Sequence, residues 1–451
     1  MVQSILKSSI IDDQIRVVPR PQRVLMERRA KIARRTFVTM VAGGFSAARS
    51  SWSQAQGIQG KTVFYAAVGP ELTLYDMDVE KATLAPRSSI TLSANVHYAW
   101  PHPSKRYFYV ASSNGGPGAS GILGDRHYAS AFRIDRTSGA LSPHGPVRPL
   151  PSRPIHISVD NAGEYALTAH NNPSSVLVHR INPDGTLGEL VKQPSMLDTG
   201  IFAHQIRTTP SNRTAILVTR GNNAISDMPE DPGALKVFGF KDGVLTNVTS
   251  IAPGGGIGFG PRHLDFHPTR PFVFVSIERQ NQIHVYRLES DGGLSRAPLF
   301  VKTTLASRRA QGLPTGDGAS TIHLHPNGRF AYVPNRSAGT VQFQGKDVFA
   351  GGENNIAVFE INEETGEPIL RQHIDGHGVQ LRTFGIDPTG RLLVAASIMP
   401  ILIREGDRLS TLTAGLSIYR IGSNGRLTFE RKYDVDTSKG TLFWSGLVTL
   451  A

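Results

Sequence analysis

A repeat of strand, tight turn and strand constrains this sequence more than any other feature. Its clearest copy covers residues 260–278, where the turn HPTR at positions 267–270 separates two runs rich in β-branched and aromatic residues. A third such run, residues 282–288, follows at once and ends in the turn SDGG. A repeated unit of this kind decides the architecture before any single element is assigned.

The turn after the first strand of the unit recurs along the chain and gives a common marker. The marker residues are Pro103, Asn161, Pro210, Pro268, Pro326 and Pro388, at intervals of 58, 49, 58, 58 and 62 residues. A β-rich run follows each marker, and a run with period-two alternation, such as residues 356–361, comes after it. Period-two alternation of β-branched and aromatic residues is the signal of a half-buried strand.

Four antiparallel strands per unit, with no helical periodicity after residue 61, predict an all-β fold, the β-propeller. Six units are complete. Residues 62–68, 72–77 and 88–92 supply three strands of a further blade, and residues 441–450 form a lone final strand. We therefore predict one domain over residues 61–450, with seven four-stranded antiparallel blades closed by the C-terminal strand. The alternative for this tail is an extra edge strand.

Charge and cysteine content exclude several classes of function. Residues 1–60 contain ten Lys or Arg and three Asp or Glu, which leaves +5 of the net charge of +12 for the rest of the chain. No basic run is interleaved with aromatic residues, so nucleic acid is not an expected partner. The absence of cysteine excludes disulfides, thiolate catalysis and Cys-ligated metals.

Residues 1–56 are typical of an export signal. A basic stretch containing Arg34 and Arg35 precedes an apolar run at residues 39–48, and small residues follow. This order is that of a signal peptide, and the paired arginines resemble the bacterial twin-arginine signal. The apolar run is too short for a permanent membrane span, which needs about 20 residues. We predict an exported, periplasmic protein; the alternative is a basic tail on a cytoplasmic one.

Propeller topology converts positions in the repeat into positions in space. The first strand of each blade is innermost and the second is antiparallel to it, so the start of the first and the end of the second share one face. Six residues before the markers stand His97, Ile155, His204, Arg262, Ser320 and Arg382; ten residues after them stand Asn171, Arg220, Glu278 and Arg336. This excess of cations predicts a pocket for a small anionic or carbonyl-rich molecule.

Alternatives remain open for individual members of this set. Arg262 and Glu278 form, in the simplest alternative, an ion pair between blades. His156, His263 and His323 fall at other offsets, where structural hydrogen bonding is the commoner role. We retain His263 as a substrate-binding candidate beside Arg262, together with His97, Arg220 and Arg382.

Other motifs give no sign of a metal or cofactor. The glycine-rich residues 253–260 open a strand rather than a helix, so they do not form a phosphate loop. The pairs His267/His284 and His323/His325 lack a carboxylate at metal-ligand spacing. No Gly-x-Ser-x-Gly elbow is present. We therefore expect a cofactor-independent and metal-independent site.

Two stretches resemble the signature repeats of the seven-bladed β-propeller lactonase family. They are GPRHLDFHP at residues 260–268 and IHLHPNGRFAYVPNR at residues 322–336. That family includes bacterial 6-phosphogluconolactonase and fungal carboxymuconate lactonizing enzymes, and the likeness covers residues 61–450. It implies a metal-independent pocket whose His, two Arg and Glu fall on His204, Arg262, Arg336 and Glu278.

The sequence departs from the family pattern at two kinds of position. The segment Thr219-Arg220-Gly221 lacks an acidic residue often found there. Insertions at residues 345–353 and 400–411 are expected to reshape the rim of the pocket.

Lactone hydrolysis is the favoured function from these observations. Arg262 and Arg336 would stabilise oxyanion charge, and Glu278 or His204 would act as general base. The second enzymatic interpretation is a cycloisomerase acting on an unsaturated dicarboxylate. The third is a binding propeller without catalysis, since the fold hosts many functions. In each case the partner is a small molecule, and a monomer is expected.

The twin-arginine interpretation is tested by changing Arg34 and Arg35 to Lys. We expect the double variant to stay in the cytoplasm, because this export route depends on the paired arginines. Fractionation of periplasm and cytoplasm measures the outcome, and normal export of the variant would contradict the interpretation.

Overall fold

A computed structural model describes residues 60–116, 121–306 and 316–450. These residues form a seven-bladed β-propeller, as predicted; the export segment at residues 1–56 lies outside the described residues. The described part of the chain contains one short 3₁₀ turn, Pro253–Gly256. No helix within it is long and apolar enough to cross a membrane.

The strands follow one another in chain order with few other elements between them. They are β1 (Thr62–Val68), β2 (Glu71–Asp78), β3 (Thr83–Thr91), β4 (Asn95–Pro101), β5 (Tyr107–Ser113), β6 (His127–Ile134), β7 (Leu141–Pro143), β8 (Arg148–Pro149), β9 (Pro154–Val159), β10 (Tyr165–Asn171), β11 (Ser174–Ile181), β12 (Leu187–Leu190), β13 (Ala203–Thr208), β14 (Thr214–Thr219), β15 (Ala234–Lys241), β16 (Val244–Ile251) and β17 (Pro261–Phe266). The second half contains β18 (Phe272–Ile277), β19 (Gln282–Arg287), β20 (Phe300–Thr303), β21 (Gly318–Ala319), β22 (His323–Leu324), β23 (Phe330–Arg336), β24 (Thr340–Phe343), β25 (Lys346–Phe349), β26 (Asn355–Ile361), β27 (Pro368–Asp375), β28 (Val379–Ile386), β29 (Leu392–Met399), β30 (Ile401–Glu405), β31 (Arg408–Leu412), β32 (Gly415–Ile421), β33 (Leu427–Asp434) and β34 (Leu442–Thr449).

The inner strands of neighbouring blades contact one another in a closed ring. From one blade to the next the contacts run β34–β4, β4–β9, β9–β13, β13–β17, β17–β22 and β28–β34. Between the blades of β22 and β28, the second strand β23 contacts β28. Each blade then extends outward as antiparallel strands, for example β13-β14-β15-β16. Apolar side chains on both faces of the sheets fill the space between blades, where residues such as Phe274 and Tyr332 are fully buried.

The two ends of the propeller share one blade, as the sequence predicted. β34 pairs antiparallel with β1, from Thr62 opposite Thr449 to Val68 opposite Leu442. The sheet order β3-β2-β1-β34 makes the C-terminal strand the innermost of that blade. This arrangement satisfies the backbone groups of β1 that an open edge would expose.

A β-bulge interrupts the inner strand of six blades. Where the register between the first and second strands shifts, one residue of the first strand has no partner; these residues are His97, Ile155, His204, Arg262, Arg382 and Phe443. A bulge leaves its extra residue unpaired and redirects its side chain. Five of the six are the residues that stand six positions before a turn marker, so the offset found in the sequence has a structural cause.

The two insertions predicted from the sequence overlap two extra hairpins. One pairs β24 with β25, and the other pairs β30 with β31. Each follows the second strand of its blade, so both rise from the face on which Arg336 ends β23. The hairpins contact each other, and the guanidinium of Arg404 lies 4.0 Å from the ring centroid of Phe343.

In several blades a glycine in the turn between the third and fourth strands contacts the preceding blade. The hydroxyl of Tyr332 donates a hydrogen bond to the carbonyl oxygen of Gly425 in the next blade, at 2.9 Å. Gly425 has φ +74°, and a Cβ there would lie 2.2 Å from the ring of Phe330. Tyr109 and Gly185 repeat this contact at 2.8 Å. Only glycine satisfies both the left-handed backbone and the close approach.

Substituting Gly425 tests this contact between blades. Gly425→Ala should lower the free energy of unfolding by about 1–2 kcal/mol for the left-handed backbone and by about 1–3 kcal/mol more for overpacking. Gly406→Ala is the matched control, since Gly406 has φ +65° but no atom within 4 Å of its Cβ position. Urea unfolding measures the difference. Equal losses in the two variants would show that the approach of the blades does not require glycine.

Candidate active site

One carboxylate and three arginines from different blades form an ion-pair cluster. The Oε1 atom of Glu278 accepts a hydrogen bond from Nη2 of Arg336 at 2.8 Å. Its Oε2 atom lies 3.1 Å from Nε of Arg220 and 3.3 Å from Nε of Arg262. Glu278, Arg220 and Arg336 each stand at or just beyond the end of a second strand. The structure therefore brings together four residues that the sequence offsets placed on one face.

Arg262 is the most deeply buried member of this cluster. Its side chain is 1% exposed, and it leaves β17 at the bulge. The Nη1 atom donates to Oγ1 of Thr321 at 3.3 Å, and that hydroxyl donates to the carbonyl oxygen of Arg382 at 2.7 Å. Burial, together with the neighbouring charge of Arg336, lowers the pKa of Arg262 to about 9. The direction of this shift reflects the desolvation of a cation that its surroundings only partly compensate.

Two further buried arginines lie on the same side of the channel. Arg382 occupies the bulge of β28, with its guanidinium 3.7 Å from the ring centroid of Phe443, and burial lowers its pKa. Arg153 precedes β9 and donates from Nη1 to Oδ1 of Asn171 at 3.2 Å. Burial also lowers the pKa of Arg153, to about 10. The sequence offsets missed Arg153 because it stands at neither position of the repeat.

Together with Arg153 and Arg382, the residues of the ion-pair cluster form a larger group, here called the arginine cluster, that has an excess of positive charge. Its five arginines are Arg153, Arg220, Arg262, Arg336 and Arg382. Among the residues that the structure describes, Glu278 is the one carboxylate that forms an ion pair with any of them. The Nε atoms of Arg153 and Arg382 also have no hydrogen-bond partner there. Buried cations need compensating anions, so the arrangement is complementary to a negatively charged ligand.

His204 is a neutral imidazole beside these cations. It occupies the bulge of β13 and is 5% exposed, and its Nδ1 atom has no hydrogen-bond partner among the described residues. Burial holds its pKa well below 6.5, and the charges of Arg262 and Arg382 lower it further. A neutral imidazole has a lone pair on the ring nitrogen that carries no proton, and a group of this kind can act as a general base.

Glu278 has the opposite character. Burial raises the pKa of its carboxyl group, but the charges of Arg336, Arg220 and Arg262 together outweigh burial and hold the pKa well below its usual range. The group is therefore ionised at neutral pH and has little tendency to take up a proton.

The remaining predicted histidines occupy different places. His97 is at the bulge of β4, with its ring centroid 5.1 Å from that of Phe443. Burial and the charge of Arg153 lower its pKa well below 6.5. His263 instead accepts a hydrogen bond from the Gln205 side chain at 3.2 Å and packs 5.1 Å from the ring of His204. His263 therefore packs against His204 and is not itself a bulge residue.

The described residues contain no group of three or more His, Asp or Glu side chains that could hold a metal ion. The chemistry available at this face therefore comes from guanidinium groups, imidazoles and one carboxylate.

Comparison with protein families identifies the chain. The model of the family "Lactonase, 7-bladed beta-propeller" matches residues 63–398. This protein belongs to the seven-bladed β-propeller lactonase family. It is 27% identical over 326 residues to the 6-phosphogluconolactonase of Bacillus subtilis, covering 72% of this chain and 83% of that protein. It is 30% identical over 296 residues to the 6-phosphogluconolactonase of Pectobacterium carotovorum, covering 65% of this chain and 75% of that protein.

Solved structures show the same fold at lower sequence identity. A protein from Lactobacillus plantarum superposes with a TM-score of 0.62 at 21% identity, covering 86% of this chain and 99% of that one. The periplasmic gluconolactonase of Pseudomonas aeruginosa superposes with a TM-score of 0.63 at 17% identity, covering 86% and 99%.

The role of Glu278 in holding the cluster together is tested by Glu278→Gln. The change keeps the shape of the side chain but leaves buried Arg262 without its counter-charge. Breaking a buried pair in this way should lower the free energy of unfolding by about 3–5 kcal/mol. Glu367→Gln is the control, because Glu367 pairs with Lys302 at a position where both side chains are more than one-third exposed, and its loss should be about 0–1 kcal/mol. Chemical denaturation measures both, and similar losses would contradict the structural role.

Proposed function

We propose that this lactonase-family protein hydrolyses a lactone that carries an additional anionic group, and that it does so where the five arginines converge. The observation that carries the proposal is the excess of buried arginine over carboxylate. One guanidinium group stabilises a developing oxyanion, and others remain to bind a fixed negative charge on the substrate. A neutral substrate would leave most of this positive charge uncompensated.

Arg262 and Arg336 are the groups that bind the reacting carbonyl. When water attacks a lactone carbonyl carbon, the carbonyl oxygen acquires negative charge, and donors fixed in a poorly solvated site stabilise that charge strongly. Both side chains are anchored on different blades and held by Glu278. They therefore need little rearrangement when the charge develops. Arg153 and Arg382, which form no ion pair with a described carboxylate, bind the anionic group of the substrate.

His204 is the general base in this proposal. A base needs an available lone pair, and a neutral imidazole keeps one on the ring nitrogen that does not carry the proton. Glu278 is a poorer choice because three arginines hold its carboxylate in the ionised form. An anionic substrate next to His204 would raise the pKa of the imidazole, since the negative charge favours its protonated form. Substrate binding thus makes His204 a stronger base.

The reaction balances with water as the only co-substrate. His204 takes a proton from water while the oxygen atom bonds to the lactone carbon. The tetrahedral intermediate then collapses, the bond between that carbon and the ring oxygen breaks, and the ring oxygen receives the proton from His204. The product is a hydroxy acid, which releases one proton to solution at neutral pH.

The relatives and the charge of the site both support this class of substrate. Proteins named 6-phosphogluconolactonase match most of this chain, and a phosphorylated sugar lactone has the extra anionic group that the arginines favour. The export segment proposed for residues 1–56 would place the reaction outside the cytoplasm. There the alternative substrate is a carboxylated sugar lactone, which also has an additional anionic group.

A proton-release assay with paired lactones tests the proposal. Phosphorylated gluconolactone should be hydrolysed with a higher kcat/KM than gluconolactone, and a chelator should change neither rate. Arg336→Gln should lower kcat about 10²–10³-fold, and His204→Gln about 10²–10⁴-fold. Arg336 is preferred to Arg262 because the side chain of Arg336 is 16% exposed and its loss disturbs folding less. Arg329→Gln is the control, since Arg329 lies at the surface beside Glu363, and it should retain full activity.

The pH dependence separates the two candidate bases. His204 is active when neutral, so kcat/KM should stay level down to pH 6.5 and fall only in more acidic solution. The acid limb of kcat should lie at higher pH, because the bound anion raises the pKa of His204. Full activity of His204→Gln would transfer the role of base to Glu278, and preference for the neutral lactone would contradict the proposed substrate class.

A further inference from the structure

The mouth of the channel opposite the arginine cluster has its own set of chemically distinctive side chains. Three residues before each turn marker the inner strands present a second ring, here called the second mouth: Trp100, Ser158, Arg207, Asp265, His323, Gly385 and, in the closing blade, Gly446. On β13, Arg207 follows the bulge residue His204 by three positions, which in a strand is about 10 Å. The second mouth is therefore separate from the site described above.

Small residues in the second mouth leave space in the channel. Ser158, Gly385 and Gly446 have little or no side chain, whereas Trp100 and Arg207 are large. Two adjoining cavities result, of about 340 and 310 Å³. Trp100, Pro101 and Leu447 line both, so the two cavities are neighbours. Their volumes are at the lower end of the range for sites that bind small molecules.

The two cavities differ in chemistry. Aromatic rings dominate the lining of the 310 Å³ cavity, which includes Trp100, Trp444, Phe384 and Tyr98. The lining of the 340 Å³ cavity also includes Trp100 but adds two cationic side chains, Arg207 and Lys105. A molecule that occupies both must be aromatic at one end and negatively charged at the other.

Arg207 keeps part of its hydrogen-bonding capacity unused. Its Nη1 atom donates to Oδ1 of Asp265 at 2.7 Å and approaches the carbonyl oxygen of Leu264 at 3.4 Å. The Nε and Nη2 atoms donate to no described residue. The guanidinium is held between the rings of Trp100 and Phe266, each 5.1 Å from its central carbon. The unused Nε–Nη2 edge is the pair of donors that binds a planar carboxylate in a bidentate manner.

We propose that the second mouth binds a small aromatic carboxylate, with its acid group on the Nε–Nη2 edge of Arg207 and its ring against Trp100 and Trp444. Lys105 contributes a second positive charge at the solvent side of the cavity. This site requires neither turnover nor any residue of the arginine cluster, so it is independent of the proposed hydrolysis.

Tryptophan fluorescence gives a direct measurement. The chain has three tryptophans, Trp52, Trp100 and Trp444. Trp100 and Trp444 both line the second mouth, and Trp52 lies outside the described residues. In the full chain with Trp52→Phe, titration with benzoate should give a saturable change in emission. Benzamide, which lacks the charge, and acetate, which lacks the ring, should each bind at least about tenfold more weakly.

Variants inside and outside the second mouth locate the bound benzoate. Arg207→Gln should weaken binding at least about tenfold, and Arg180→Gln should not change it. Arg180 is a matched control because its guanidinium also lies over an aromatic ring, 5.6 Å from the centroid of Tyr165. Lys105→Gln, at an exposed position, should weaken binding severalfold while leaving the Arg207–Asp265 pair intact, so the test does not depend on the folding of one variant.

Two results would overturn the proposal. One is the absence of any saturable change in emission with benzoate. The other is binding that survives both Arg207→Gln and Lys105→Gln but is lost in Arg336→Gln, which would place benzoate in the arginine cluster instead. Lactone hydrolysis by Arg207→Gln is measured in parallel and should be unchanged. A failure of benzoate binding can then be distinguished from a failure of the proposed hydrolysis.

Discussion

The candidate active site depends on a single backbone irregularity repeated around the ring. In a regular inner strand, alternate side chains would pack between blades and leave few groups to meet on the channel axis. The bulge adds one residue to that strand, leaves it without a partner in the adjacent strand, and redirects its side chain. Through this device His204, Arg262 and Arg382, which belong to different blades, lie close together: the charges of the two arginines lower the pKa of His204, and that of Arg262 lowers the pKa of Arg382.

The positive charge of these converging side chains then determines which ligand the site favours. Burying several guanidinium groups is unfavourable unless anions compensate them. Among the described residues, Glu278 is the one carboxylate that pairs with these arginines. The closed ring of blades supplies the rigidity that prevents the cations from moving apart into solvent. Contacts such as that of Tyr332 with Gly425 link the outer parts of the blades, so the fold holds the cluster in a state that an anionic ligand stabilises. The same electrostatics keep His204 neutral and Glu278 ionised, which divides their roles.

The sequence predicted most of the fold because the repeat is nearly regular. Its turn markers, the alternating third strands and the lone C-terminal run together determine seven blades and their closure. The offsets also found Arg262, since a bulge at a constant distance before the turn leaves a constant offset in the sequence. They found Glu278, Arg220 and Arg336 because the second strands end at a constant distance after it. Arg153 was missed because it precedes its strand, at neither offset. The packing of His263 against His204 depends on contacts between blades that no local pattern records.

The most direct measurement of the account is a crystal structure with the hydroxy acid product of the preferred lactone. The account predicts that the new carboxylate of the product lies within about 2.7–3.1 Å of guanidinium nitrogens of Arg262 or Arg336, with His204 beside it and the second anionic group on Arg153 or Arg382. A product bound elsewhere on the propeller, with the arginine cluster unchanged and without an anion, would contradict the claim that the arginine cluster is the active site.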